Sequence, residues 1–366
     1  MKRFMFLVLM AAVVAGVLSG CRDNRRSGNV VPATPRVDAR VDAPAEAPAE
    51  REPAIAAGVS GQIRTGLGVV TSVSSSRSAT GDSDGLAQVD STLVAITVDE
   101  NGVITRASFD AAQTRVGFNA RGQITTDLSA LVQTKVELGS AYNMRRVSGI
   151  GREYNEQAAA LEAWAVGRTP ARFIGMALSG GRPAEADLTA SVTVNVSGYL
   201  TAMELAVDNL RSGYAHGRHR TGLGVVTEID SSRSATATQA GRARVTSYYA
   251  VLTLNEYGMI VAAWIDSTQS DVEFDAAGIL LPLPAALPTR YEMGDAYGLR
   301  RASRIGREWN EQMRDFTRWM VGKTPAEVMG MSLSDGRPSG ADLTASVTVN
   351  MLPVLAAVSR AAANAR

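Results

Sequence analysis

The chain has 366 residues, a formal net charge of +1, 45% hydrophobic residues and 5% aromatic ones. That length allows two ordinary domains plus a tail, and balanced charge with few rings for stacking excludes a typical nucleic-acid binder. Two histidines, His216 and His219, and one cysteine, Cys21, are too few for a zinc site or a disulfide framework. A Ser-His-Asp triad is also disfavoured, because the first half of the chain has no counterpart to either histidine. No catalytic residue and no metal ligand is therefore assigned.

At the N-terminus, Lys2 and Arg3 precede an uncharged apolar run from Phe4 to Val17, followed at once by Leu18-Ser19-Gly20-Cys21. The run is too short for a comfortable membrane span, so residues 1–20 read as a signal peptide. Leu-Ser-Gly-Cys resembles the bacterial lipobox. That resemblance implies cleavage before Cys21, lipidation of its thiol, and a protein anchored through lipid to the extracytoplasmic face of the cell membrane. Residues 21–60 carry Pro32, Pro35, Pro44, Pro48 and Pro53 among alanines and charges, with almost no large apolar side chains. Burial there cannot offset ordering entropy, so the segment reads as a disordered Pro/Ala-rich tether.

The remainder is written twice. Arg64 to Thr71 recurs at 220–227, and Ser75 to Thr80 recurs at 231–236. The copies run over 61–210 and 217–366, a period long enough for two whole domains rather than a solenoid. Within each, an extended opening begins at Gly66-x-Gly68 or Gly222-x-Gly224. A strand follows, so these glycines read as sites of close backbone approach and not as a dinucleotide loop. Residues 92–98 and 103–109 flank a hairpin turn at Asp99 to Gly102, matched by 248–254 and 259–265 around Asn255 to Gly258. Val116 and Phe118, with Val272 and Phe274, begin a separate short extended piece.

Tyr154, Ala158, Leu161 and Ala165 lie at helical spacing, as do Trp309, Met313, Phe316 and Met320, with Gly167 and Gly322 placed to end those helices. Arg145, Arg146 and Arg152, repeated as Arg300, Arg301 and Arg307, read as a solvated basic turn ahead of them. Trp164 and Trp319 read as core residues. Thr324-Pro325-Ala326-Glu327 is a capping box that opens a further helix, and Arg172 breaks the box in the first copy. Strands first, helices late and no βαβ alternation predict an α+β fold: two tandem copies of one domain, each a mainly antiparallel sheet with helices packed on it.

Each copy closes on the same ten residues, Ala-Asp-Leu-Thr-Ala-Ser-Val-Thr-Val-Asn, at 186–195 and 341–350. Alternation over Ser191 to Val194 predicts a half-buried strand, with Val192 and Val194 inward and Ser191, Thr193 and Asn195 on the opposite face. A helix follows, with Asn195 and Asn350 as expected N-caps. Thr193 and Thr348 then precede a helix N-terminus, a favourable place for a phosphate.

Asp187 with Thr193, and Asp342 with Thr348, resemble the attachment motif of the FMN-binding domain family, although Ala190-Ser191-Val192 stands where Ser/Thr-Gly-Ala is usual. The Gly-x-Gly opening, the hairpin and the closing threonine look like that family too. The resemblance implies FMN, covalent on Thr193 and Thr348 through a phosphoester made by a separate flavin transferase. Asp187 and Asp342 would orient the loop, and Ser191 and Ser346 are the fallback acceptors. The implied function is a lipid-anchored electron-transfer flavoprotein of the cell envelope, exchanging electrons with a membrane or extracellular redox partner and turning over nothing alone. The alternative is a cofactor-free envelope binding or structural lipoprotein built from two degenerate repeats, which the valine before each threonine favours.

Overall fold

The computed structural model describes residues 60–366. The signal sequence, the tether and Cys21 lie outside the described residues. The fold is α+β with antiparallel sheets. In the first half, β1 (Ser60–Ser72), β2 (Gly85–Val98) and β3 (Ile104–Phe118) form a meander. Then come α1 (Lys135–Leu138), α2 (Tyr154–Ala165), α3 (Pro170–Ile174), the small hairpin β4 (Leu178–Ser179) and β5 (Arg182–Pro183), and α4 (Ser197–Asp208). A strand at the junction, β6 (Arg211–His216), returns to pair with β1 and completes the sheet order β3-β2-β1-β6.

The second half runs β7 (His219–Glu228), β8 (Gly241–Asn255), β9 (Ile260–Phe274), α5 (Arg290–Met293), α6 (Trp309–Met320), α7 (Pro325–Met329), the hairpin β10 (Leu333–Ser334) and β11 (Arg337–Pro338), α8 (Ala341–Thr344) and α9 (Leu352–Ala363). Its sheet has the order β7-β8-β9. The hairpins turn where the sequence places them: Asp99 Oδ1 accepts from the backbone N–H of Asn101 and Val103, and Asn255 Oδ1 from those of Tyr257 and Met259. Val116 and Phe118 do not start a new strand, because β3 pairs with β2 without a break from Ala107 to Phe118.

The glycines of β1 and β7 set the layers. A Cβ on Gly66 or Gly68 would lie 2.0 or 1.8 Å from the carbonyl oxygen of Ala206 or Ala202. One on Gly222 or Gly224 would lie 2.0 Å from that of Ala361 or Ala357. The backbones of α4 and α9 therefore rest directly on their strands, as the Gly-x-Gly reading expects. Side chains of β2 alternate faces. Val94, Ile96 and Val98 pack under α2 and α4, while Leu93 and Ala95 point the other way, onto Leu223, Val225, Tyr249, Val251 and Trp264 of the second sheet. The order of layers is helix, sheet, sheet, helix.

Residues 61–210 and 217–366 thus share apolar clusters, and Ile55–Arg366 is one compact unit. Phe118 stacks on Phe274 with ring centroids 4.0 Å apart. Between the sheets, the hydroxyls of Thr65, Thr97, Thr221 and Thr253 bond to one another at 2.7–3.1 Å, all four buried. The loops interlock in the same way: Ala79 N donates to Gly278 O and Ala235 N to Gly122 O.

Candidate functional site

The ten-residue string does not form the expected strand. Residues 186–191 are turns, the next five are irregular, and α4 begins at Ser197; in the second copy, α8 occupies the start of the string. Val192 and Val347 are buried as expected, but Val194 and Val349 are only half-buried. A glutamine side chain takes the place of a neighbouring strand. Gln157 Oε1 accepts from Thr193 N at 2.7 Å, Val194 N at 3.2 Å and Thr193 Oγ1 at 3.3 Å. Its Nε2 donates to Ser148 Oγ and the Arg152 carbonyl. Gln312 treats Thr348, Ser303 and Arg307 in the same manner. Both glutamines are fully buried, so each string is read by a fixed amide that local β-propensity could not reveal.

The caps also differ from expectation. Val196 and Met351 are the N-caps, without a side-chain bond. Asn195 and Asn350 sit one residue earlier, where Oδ1 accepts from Ser197 N or Leu352 N. Val196 N donates to Gly181 O and Met351 N to Gly336 O. The N–H groups of Thr193, Val194, Val196 and Ser197 are therefore taken. A phosphate beside either threonine has to find its positive charge in side chains.

Those side chains are present. Thr193 and Asn195 line a cleft of about 430 Å³ together with Lys135, Tyr142, Tyr154, Arg182 and Tyr199. Thr348 and Asn350 line a cleft of about 740 Å³ with Arg290, Tyr297, Arg304, Trp309 and Arg337. Lys135 Nζ lies 5.2 and 5.3 Å from the ring centroids of Tyr142 and Tyr154. The Arg290 guanidinium carbon lies 5.7, 5.1 and 6.0 Å from those of Tyr248, Tyr297 and Trp309. A capping box fixes each cation at the first position of its short helix: Thr134 with Glu137, and Thr289 with Glu292.

Beneath each box lies a buried carboxyl. Asp110 Oδ1 accepts from Ala111 N at 2.7 Å and Val136 N at 3.1 Å; Asp266 Oδ1 accepts from Ser267 N and Tyr291 N at the same distances. Burial outweighs these bonds and pushes both carboxyls up to about 7. Under the first cleft the hydroxyls of Tyr154 and Tyr199 bond to each other.

The sequence matches no protein-family model, no curated protein and no solved structure.

Of the residues expected to carry or orient the flavin, Thr193 and Thr348 reach the clefts, and Asp187, Asp342, Ser191 and Ser346 do not line them. Asp187 is exposed and accepts from Trp164 Nε1 at 2.8 Å and Arg168 Nη2 at 3.2 Å. Asp342 lies exposed in α8 and has no such bond, since Trp319 Nε1 finds no protein acceptor. The hydroxyls of Ser191 and Ser346 donate to the carbonyls of Leu188 and Leu343. Asp187 thus ties its turn to α2 from outside while Asp342 does not, and the serines are spent within the turn. Within the basic turn Arg145 pairs with Glu156, Arg300 with Asp295 and Glu311, and Arg307 with Asp315.

His219 is buried between the halves, with Nε2 2.8 Å from Thr105 Oγ1, and desolvation lowers it to about 4, leaving a neutral ring. Among the described residues no group of His, Cys, Asp and Glu is placed to hold a metal ion, and no helix is long and apolar enough to cross a membrane. Sequence reasoning missed Lys135, Arg290, Arg182, Arg337, Asp110 and Asp266. The visible signal was Thr-x-x-Glu at 134–137 and 289–292, with a cation just inside each box.

Proposed function

We propose that the chain is a lipid-anchored envelope protein made of two tandem copies of one α+β domain, each copy carrying one flavin mononucleotide. It would relay electrons between a membrane and an external redox partner. The observation that supports this reading is the recurrence of one cleft in both halves, with Thr193 or Thr348 in the wall and a cation set on aromatic rings beside it.

The residues suit the group. Lys135 and Arg182, or Arg290 and Arg337, offer positive charge to a phosphate, and Tyr142 with Tyr154, or Tyr297 with Trp309, offers aromatic lining to a heteroaromatic ring. Each threonine is half-buried and its hydroxyl makes only long bonds, 3.3 Å to its glutamine and, for Thr348, 3.4 Å to Ser303 Oγ, so esterification would forfeit little. A bound flavin supplies the redox chemistry, while the chain binds and orients it.

The second reading, a cofactor-free envelope binding or structural lipoprotein, is favoured by Gln157 and Gln312. Their bonds account for the identity of the two strings by packing alone.

The test is the intact mass of the protein after co-production with an active flavin transferase. Two flavin masses are expected, one lost in Thr193→Ala and another in Thr348→Ala. An unmodified mass refutes covalent attachment. If FMN added to the purified chain also fails to bind, the cofactor-free reading stands. In the precursor, Cys21→Ser should block processing by the lipoprotein peptidase; unchanged processing and membrane retention would remove the anchor.

A further inference from the structure

The two clefts differ in which cations they carry and in how those cations are held. Lys135 of the first cleft is half-buried, whereas Arg290, at the same place in the second, is 9% exposed. Arg290 Nη2 donates to Gln269 Oε1 at 3.1 Å, its Nε has no protein partner, and it forms no ion pair with a described residue. A guanidinium taken out of water without a directly paired carboxylate is costly, and the surrounding rings, the Tyr248 hydroxyl and the more distant Glu228 offset only part of that cost.

Two more arginines stand around the same cleft. Arg304 is exposed and occupies the position that Gly149 holds in the first half. Arg337 donates Nε to Thr348 O at 2.9 Å, and its Nη groups have no protein acceptor. Asp335 is the one acid in the wall, and it is exposed. Three guanidinium groups converge on a space of about 740 Å³, far more than a bare phosphate needs, with Tyr297 and Trp309 in its lining.

We infer that the second cleft is a non-covalent site for a phosphomonoester with an aromatic body, seated on Arg290 and Arg337, and that the first cleft does not share this affinity. Planar guanidinium forks match phosphate oxygens in a way that a lysine point charge does not. The anion supplies a direct counter-charge, where Arg290 has only the more distant Glu228. This rests on the reading of the clefts as ligand sites but not on covalent flavin.

Calorimetric titration of phenyl phosphate into the full chain tests it, with inorganic phosphate as a second titrant. One equivalent of phenyl phosphate should bind, more tightly than inorganic phosphate and more weakly as salt is raised. Arg290→Met and Arg337→Met should each weaken binding by about tenfold or more, while Lys135→Met should leave it unchanged. The exposed Arg337 guards against misfolding as the explanation of a loss. The inference is overturned if phenyl phosphate does not bind, if both arginine variants bind normally, or if Lys135→Met abolishes binding. Arg290-dependent binding in a chain that takes up no flavin would sink the flavin reading and leave this one standing; a chain that is flavinylated on co-production with the transferase, yet ignores phenyl phosphate when produced without it, would do the reverse.

Discussion

Replacing Gln157 by leucine tests whether the closing string is held by one buried amide. Leucine has nearly the volume of glutamine, so packing around this fully buried site changes little. The polar loss is specific. The backbone N–H groups of Thr193 and Val194 lose their acceptor, and the Arg152 carbonyl loses a donor. Each buried group left unpaired costs about 1–3 kcal/mol. Thr193 and Val194 are only half-buried, so water recovers part of this and the lower end applies, giving about 3 kcal/mol in all. For a unit of this size that corresponds to a melting temperature lower by roughly 6 °C. Urea denaturation followed by tryptophan fluorescence should show the midpoint falling with the slope unchanged. Gln312→Leu shares no partner with Gln157, so its cost should add to the first. A Gln157→Leu protein within about 0.5 kcal/mol of the parent would show that the string holds its shape without the amide.

Gly68→Ala drives a methyl to 1.8 Å from the Ala202 carbonyl, so α4 must move off β1; a loss of several kcal/mol is expected, against no measurable change for Gly81→Ala, which has open space around it. Asp110 and Asp266 hold their protons up to about 7 when folded but only to their ordinary value of 3.8 when unfolded. Their contribution therefore favours the fold fully below about 4 and is lost as pH rises through 7, at up to roughly 1.4 kcal/mol per unit for each group. Asp266→Asn should flatten that loss in melts taken between pH 5 and 8, and an unaltered profile would assign it elsewhere. Residues 60–216 expressed alone bare the sheet face that packs on Leu223, Val225 and Tyr249, so self-association is expected by analytical ultracentrifugation; a monomer with cooperative unfolding would show that the first half needs no partner.

What was legible in the sequence is what short-range chemistry decides. The Asp99 and Asn255 turns, the faces of α2 and α6, and the Thr324 box each depend on residues within a few positions of one another. Gly167 and Gly322 end their helices at φ of 81° and 85°, where a side chain would be strained. The string misled because Ser-Val-Thr-Val has the alternation of a strand, yet its bonding partner is a side chain 36 residues away. Asp110 and Asp266 escaped notice because a lone acid in a strand normally faces water, whereas these sit under a helix start that no local pattern brings to them. The clefts gather a short helix, a hairpin and the string, a convergence that only tertiary packing creates.

The interlocked loops carry a consequence for how the two sites can change. Ala79 meets Gly278 as Ala235 meets Gly122, and Ser78 receives Leu280 N as Ser234 receives Ile124 N. Such reciprocity is the pattern of a two-fold homodimer interface, in which any substitution strikes both sites at once. On a single chain that constraint is lifted. Arg366 meets Glu162 where Arg211, at the matching place, meets the hydroxyl of Thr317 and lies over the Trp264 ring, and Arg304 faces its cleft where the other has Gly149. Covalent continuity lets the lining of one cleft change while that of the other is kept, with the shared sheet interface left intact.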